Sequence, residues 1–394
     1  MKYSIVTFGC RVNQADSLQI EAKLAAAGGE AVSSEHAELV IVNTCSVTAS
    51  ADQGARQTIR RVARLNPNAK IVATGCYATR CADDIASLPG VVAVIPNDQK
   101  LTLGTLETGD GPCGRPLAPG LMGRTAWTLR VQTGCEEKCS YCIIPTTRGA
   151  SRSRTIEDIQ GEIARVVAAG YKEIVLTGVH LGSYGRDLTP RSSLGVLLQT
   201  LGSGAAEHDV LWRISSLEPM DFPFSLLDLP RIAPHFHLPL QHASDRILSL
   251  MGRPYSLASY CALVDTIRDR LPHAAIGSDV IAGFPGETDD DFEALAGYLE
   301  RSPLTHLHVF PYSDRPGTVA SSLPGKVHGS VIKARAQRLR EISRSKAEEF
   351  RAAQCGSVRP ALTIEDGSIA ITDNYFRVPV PAGHARNEWI EVSL

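Results

Sequence analysis

The sequence predicts an α/β protein in three parts: an N-terminal parallel-sheet α/β domain, a central partial (β/α)6 barrel and a short C-terminal all-β unit. Three observations predict it. Up to residue 103, short β-branched runs alternate with helical stretches. From about residue 126 the alternation resumes with a longer period, and beyond residue 358 only short strand patterns remain. Continuous apolar runs between helices suit parallel strands covered on both faces.

In the first part the strand candidates are Ser4–Phe8, Leu39–Val42, Lys70–Thr74 and Val91–Ile95, with helices over 14–27, 52–65 and 79–87. Residues 104–123 collect six Gly and three Pro, so a linker is placed over 104–125. Six strand candidates follow: Thr128–Gln132, Glu173–Thr177, Val210–Ser215, His235–Leu240, Ile276–Ile281 and His306–Phe310. Six β/α units suit an open barrel over 126–355. The clearest helix is 156–168, with Thr155 as N-cap, Glu157 and Asp158 in the first turn, and Gly170 at its end. Residues 326–351 read as one charged helix. Strand patterns at 361–364, 369–372, 376–380 and 389–392 make up the appendage over 356–394.

Composition bounds the function. A chain of 394 residues with 43% hydrophobic and 21% charged residues is neither disordered nor fibrous. The net charge of −2 excludes a globally basic nucleic-acid coat but leaves room for local basic patches. No apolar run approaches the roughly 18 residues that span a bilayer. The N-terminus leads straight into a strand pattern, so a cytoplasmic protein without a signal peptide or membrane association is expected.

The ten cysteines carry the chemistry. A reducing cytosol opposes disulfides, which makes metal or redox chemistry the better default. Cys135, Cys139 and Cys142 form a C-x3-C-x2-C run just after the first barrel strand, at the end where barrel folds build their sites. Three thiolates so spaced can converge on an iron–sulfur cube and leave one iron open. A zinc site with a remote fourth ligand is the competing reading. Cys10, Cys45 and Cys76 each follow a strand candidate by two or three residues, which puts all three on one carboxyl edge of a parallel sheet. They could be a second cluster or packed thiols. Cys81, Cys113, Cys261 and Cys355 read as packing or incidental thiols.

The segment Cys135-x3-Cys139-x-Tyr141-Cys142 resembles the signature of the radical S-adenosylmethionine enzymes. Thr7-Phe-Gly-Cys10-Arg-Val-Asn13, Asn43-Thr-Cys45-Ser and Thr74-Gly-Cys76-Tyr77 resemble the N-terminal domain of the methylthiotransferases within that superfamily. Pro145-Thr-Thr-Arg148-Gly149, Leu176-Thr-Gly178-Val-His180, Leu238-Pro239-Leu-Gln241, Gly283-Phe-Pro285-Gly286-Glu287-Thr288 and Phe310-Pro-Tyr312-Ser313 follow in the family's order. Gly9-Cys10-Arg11-Val12-Asn13 and Gly178-Val179-His180-Leu181 look most like the branch acting on N6-threonylcarbamoyladenosine in transfer RNA. The ribosomal-protein branch typically has Pro-Lys where Arg11-Val12 stand; the isopentenyl-adenosine branch has Gln and Asn where Val179 and His180 stand.

The resemblance implies a radical SAM barrel, and a short TRAM-like unit at the C-terminus. It implies two 4Fe-4S clusters, a radical SAM cluster on Cys135, Cys139 and Cys142 and an auxiliary cluster on Cys10, Cys45 and Cys76. It also implies S-adenosylmethionine as radical source and methyl donor, and a methylthio group placed on carbon 2 of the adenine at position 37 in the anticodon loop. That carbon is not acidic, and radical chemistry supplied by a cofactor is the physical route. Tyr141 is expected near the adenine of S-adenosylmethionine, Gly178 and His180 near its methionine end, Ser215 and Gln241 near its ribose or carboxylate, and Gly283 and Pro285 in its adenine wall. An electron donor such as flavodoxin or ferredoxin and a sulfur donor are implied partners.

Basic clusters are the candidates for the tRNA contact: Arg148, Arg152 and Arg154 after the cluster loop, and Arg335, Arg338 and Lys346 on the charged helix. A different adenosine or a ribosomal protein is the alternative substrate within the family. A non-catalytic RNA-binding or redox-sensing iron–sulfur protein is the alternative of another class.

Overall fold

The first sheet joins β1 (Lys2–Thr7), β2 (Glu30–Ala31), β3 (Leu39–Thr44), β4 (Lys70–Gly75) and β5 (Val91–Ile95) in the order β2-β1-β3-β4-β5, all parallel. The structure is a computed structural model and describes residues 1–105, 116–205 and 209–394. The predicted Cys113 and much of the predicted linker lie outside the described residues. Helices α1 (Arg11–Ala26), α2 (Ala49–Leu65), α3 (Cys76–Arg80) and α4 (Ala82–Ala86) connect the strands. All six residues of β3 are buried, as a central strand covered on both faces requires.

Several boundaries differ from expectation, two of them beside cysteines. The first helix starts at Arg11, directly after Cys10, and the helix expected over 79–87 breaks at Cys81 into two short ones. The register decides the site. Thr7 lies opposite Asn43, and Asn43 opposite Thr74, so the three strands end level. Cys10, Cys45 and Cys76 therefore leave the sheet at one edge.

The central part contains β6 (Trp127–Arg130), a two-residue ladder of β7 (Gln132–Thr133) with β8 (Arg152–Ser153), then β9 (Glu173–Thr177), β10 (Leu211–Ile214), β11 (His235–His237), β12 (Ala275–Ala282) and β13 (His306–Pro311). β6, β9 and β10 pair in parallel, as do β11, β12 and β13. Backbone bonds from Trp212 N to Arg231 O and from Ala233 N to Trp212 O join the two sets. The result is a six-stranded open barrel. Its helices are α5 (Ile144–Arg148), α6 (Ile156–Ala168), α7 (Leu194–Ala205), α8 (Asp245–Leu250), α9 (Leu257–Arg270) and α10 (Asp289–Arg301).

Local chemistry starts these helices where expected. The Thr155 hydroxyl accepts from Asp158 N at 3.1 Å, and Glu157 and Asp158 face the positive end of the α6 dipole. Thr288 and Asp291 form a reciprocal capping box on α10.

Helix α11 (Gly329–Gln354) buries Arg335, Ala336, Leu339 and Ile342 against the barrel. Full burial of such apolar side chains stabilises by about 1.5–3 kcal/mol each. The C-terminal strands β14 (Val358–Ile364), β15 (Ile369–Thr372), β16 (Arg377–Pro379) and β17 (Trp389–Ser393) form an antiparallel sheet in the order β16-β15-β14-β17. Four strands in this order leave two edges, so the appendage is a sheet and not a closed barrel.

The N-terminal sheet and the barrel share packing. Leu18 of α1 sits in the same core as Trp127 and Leu129. Two buried ionic clusters join them as well. In one, Asp16 pairs with Lys100, with Arg130 at 3.0 Å and with Arg148 at 3.3 Å. In the other, Arg315 Nη2 donates to Ser46 O at 2.6 Å and to Asp52 Oδ2 at 2.9 Å.

Candidate active site

Each cysteine trio begins beside a glycine whose backbone a side chain would strain. Gly134, before Cys135, has φ +76°, and a Cβ there would lie 1.8 Å from Ala150 O. Gly9, before Cys10, has φ +88°, and its Cβ would lie 2.5 Å from the Cys45 sulfur. The left-handed backbone and the missing side chain let the loop before Cys10 close onto Cys45.

Cys10 is exposed, while Cys45 and Cys76 are buried. Asn13 Nδ2 donates to Phe8 O and Thr44 O, both at 2.9 Å, which ties the loop after β1 to the end of β3. Burial, and then the charge of Cys10, push the Cys45 thiol up to about 12. Burial alone would raise Cys76 too, but Arg148 and Lys100 outweigh it and bring that thiol below its ordinary value. Asn97 Nδ2 donates to the Cys76 sulfur at 3.6 Å.

Cys135, Cys139 and Cys142 are half-buried on the loop between β7 and α5. Arg253 Nη1 donates to the Cys139 sulfur at 3.1 Å, and Arg253 also pairs with Glu218. Burial, then its two companion thiolates, push Cys142 up to about 12. His180 Nδ1 lies 3.9 Å from the Cys135 sulfur, and Nε2 is 2.6 Å from Asp221 Oδ2. Burial opposes a charged imidazole, yet Asp221 and Cys135 hold His180 up at about 9.

All nine described cysteines are free thiols. Burial disfavours the charged form of Cys45, Cys76, Cys139 and Cys142, and neighbouring thiolates add to this at Cys45 and Cys142. Such a donor set fits a cationic metal–sulfur centre, which removes both penalties at once. Cys10 and Cys45 of the strand-end trio border one cavity, and Tyr141 of the other cysteine loop borders a second.

A cavity of about 640 Å³ is walled by Gly9, Cys10 and Cys45 on the sheet side and by Gly178 and Ser215 on the barrel side. Ser215 Oγ is buried and has no hydrogen-bond partner among the described residues. A smaller cavity of about 160 Å³ is lined by Tyr141 and Gln241 and shares Val47, Thr48, Asp279 and Phe310 with the larger one. Gln241 is held at φ +67°, a strained conformation for this residue, fixed by backbone bonds on both sides to β12. Four of the expected cofactor residues thus border the two cavities, and Ser215 offers an unanswered polar group to a ligand.

The remaining expected residues sit elsewhere. His180 is buried behind Cys135, outside both linings. Gly283 packs under α11, where a Cβ would lie 2.4 Å from Ile332, and its N–H donates to Glu287. Pro285 is buried beside it.

The basic clusters need correction. Arg148 is buried and bonds Asn13 Oδ1 at 2.6 Å, so it faces the interior rather than a phosphate. Arg154 pairs with Glu162 at 2.6 Å. Arg335 is buried against Glu287 and Asp289, Arg338 pairs with Glu293, and Lys346 bonds the Glu300 carbonyl. Of the six, only Arg152 is exposed without an acid partner among the described residues. Helical spacing shows which residues share a face, but not what packs on that face.

Sequence reasoning also missed functional neighbours. Arg253 at Cys139 and Lys100 near Cys76 come from distant segments with no local pattern. The segment between Gly252 and Tyr255 carried no signal that could have singled out Arg253.

Residues 2–96 match the family described as "Uncharacterized protein family UPF0004", and residues 129–299 match the "Radical SAM superfamily". The chain is 37% identical to the threonylcarbamoyladenosine tRNA methylthiotransferase MtaB of Aquifex aeolicus, over 96% of each chain. It is 34% identical to MtaB of Thermotoga maritima, over 94% of this chain and 89% of that one. It is 32% identical to the tRNA-2-methylthio-N(6)-dimethylallyladenosine synthase of an Arthrobacter species, over 93% and 74%. Among solved structures, the radical S-adenosylmethionine methyltransferase TsrM of Kitasatospora setae superimposes with a TM-score of 0.57 at 14% identity, covering 81% of this chain and 76% of that one. At that identity the likeness concerns the fold alone.

Fold and family match together define a radical SAM enzyme, a class that implies S-adenosylmethionine and a [4Fe–4S] cluster. Within that class, the chain belongs to the radical S-adenosylmethionine methylthiotransferase family.

Proposed function

We propose that the protein is a tRNA methylthiotransferase that places a methylthio group on carbon 2 of N6-threonylcarbamoyladenosine. The observation that carries the reading is the cavity with Cys10 and Cys45 on one wall and Gly178 and Ser215 on the other. The relatives named MtaB support the substrate.

In this reading Cys135, Cys139 and Cys142 would hold a [4Fe–4S] cluster that with S-adenosylmethionine would supply radical chemistry, and Cys10, Cys45 and Cys76 would hold a second cluster that would carry the sulfur to be transferred. The chain's own groups bind, orient and shield. Gly178 leaves room at the barrel wall, and Ser215 Oγ donates to a bound polar group. Tyr141 and Gln241 border the adjoining cavity. Arg253 donates to the Cys139 sulfur and orients it. Asp279 accepts from His237 at 2.8 Å, with His308 at 3.2 Å. Burial would raise the Asp279 pKa, but the two imidazoles hold it well below the usual carboxylate range. Burial first, and then neighbouring cationic groups, hold His306 down at about 4 and His235 well below the ordinary imidazole value. The stacked pairs His235–Tyr375 and His237–His308 border the larger cavity.

Nucleoside mass spectrometry of tRNA from a strain lacking the gene tests the proposal. The 2-methylthio form of N6-threonylcarbamoyladenosine should vanish and return on complementation. The Arthrobacter relative supports a second reading, in which the dimethylallyl nucleoside loses its methylthio group instead.

A further inference from the structure

One wall of the larger cavity carries positive charge that no acid answers. Arg11, the first residue of α1, lines the cavity beside Cys10 and Cys45. Its Nη2 donates to Tyr375 Oη at 3.1 Å. Arg124 lies near enough that, after burial, the charge of Arg11 is the next cause lowering its pKa. Among the described residues neither arginine has a carboxylate within ion-pair distance. Other arginines near this region are satisfied: Arg213 pairs with Glu173 at 2.7 Å, and Arg315 with Asp52. The cavity's own acid, Asp279, is taken by His237 and His308.

Tyr375 is built as a brace. It belongs to the turn between β15 and β16 and adopts φ +76°, strained for a tyrosine. Its ring stacks on His235 at 4.5 Å and lies under the Arg213 guanidinium at 4.7 Å. The hydroxyl so fixed holds one N–H of Arg11, which leaves the other guanidinium donors for an anion. Arg11 lines the cavity beside the cysteines, so an anion that reaches it there enters with the base rather than along an outer face.

We propose that Arg11, braced by Tyr375, is a specificity-determining residue that receives the carboxylate on the N6 substituent of the substrate adenosine. This rests on the reading above. A threonylcarbamoyl group carries such a carboxylate and a dimethylallyl group carries none. Guanidinium and carboxylate match in shape and charge, and loss of a charged hydrogen bond of this kind costs about tenfold or more in affinity.

The test measures binding of fluorescent anticodon stem-loops to the anaerobically purified, cluster-loaded protein. One RNA carries N6-threonylcarbamoyladenosine, and a second carries the same group with its carboxylate converted to the amide. The unaltered protein should prefer the acid by about tenfold or more. Arg11→Gln should bring the ratio near one, Arg11→Lys should keep part of it, and Tyr375→Phe, which leaves the residues of the cysteine loops unchanged, should lower it by about two- to fivefold. An equal loss on both RNAs in Arg11→Gln would mean a phosphate contact and overturn the proposal, as would equal binding of both by the unaltered protein. Failure of the underlying reading shows separately, as an unchanged threonylcarbamoyl nucleoside pool in the deletion strain.

Discussion

The two cysteine trios offer the same three sulfurs by different routes. Cys135, Cys139 and Cys142 lie on one loop, and local chain geometry brings them together. Cys10, Cys45 and Cys76 come from three strand ends, and only the level register of β1, β3 and β4 makes them neighbours. Their surroundings differ too. Among the described residues one guanidinium, that of Arg253, bonds the loop trio, at Cys139. The strand-end trio backs onto Arg148, Lys100 and Asp16, the charge cluster that joins sheet to barrel. The first trio therefore depends on a loop, and the second on the docking of two halves of the molecule.

The largest effects should separate the trios. Cys142→Ala should abolish both S-adenosylmethionine cleavage and methylthio product, whereas Cys10→Ala should spare cleavage and abolish product. Iron analysis should fall from about eight per chain to about four when either trio is removed, by counting two four-iron clusters. Methylthio product from Cys10→Ala would break the comparison.

Asp16→Asn should come next. It leaves Lys100, Arg130 and Arg148 buried without their anion, and removing one partner of a buried pair costs about 3–5 kcal/mol. Urea unfolding should show this loss, together with lower iron retention at the strand-end trio than at the loop trio. Loss of iron from both trios alike would show that the docking does not serve one of them.

The glycines sharpen the comparison further. Gly134→Ala meets the backbone oxygen of Ala150, whereas Gly9→Ala meets the movable Cys45 side chain. Both carry left-handed strain of about 1–3 kcal/mol, and Gly134→Ala should show the greater fall in unfolding midpoint.

The smallest effect is in pH. Burial raises the Asp16 pKa, but Lys100, Arg130 and Arg148 outweigh it and bring it to about 2 against an ordinary value of 3.8. A lowered carboxylate pKa means that the unfolded chain binds the proton first as pH falls. The stability Asp16 contributes is thus complete above about 3.8 and is lost as pH falls through about 2. Acid titration of the Asp16→Asn variant should lack this component.

Much of the site was legible because its signals are local. The cysteine spacings, the strand runs and the Thr155 cap each act within a few residues, and chain geometry translates such patterns directly. The misread basic clusters show the limit. Arg148 and Arg335 stand at suitable spacings for an exposed face, yet one lies under α1 and the other under the loop before α10.

The sequence by itself determined the α/β alternation, the spacing of the loop cysteines and the caps, since these follow from periodicity and short-range sterics. Tertiary structure alone decided which charges are spent and which remain free. Arg148 meets Asp16 across 132 residues, Arg253 meets Cys139 across 114, and Arg11 meets Tyr375 across 364. An ion pair depends on distance in space and on exclusion of water, and neither is written in the spacing of residues along a chain.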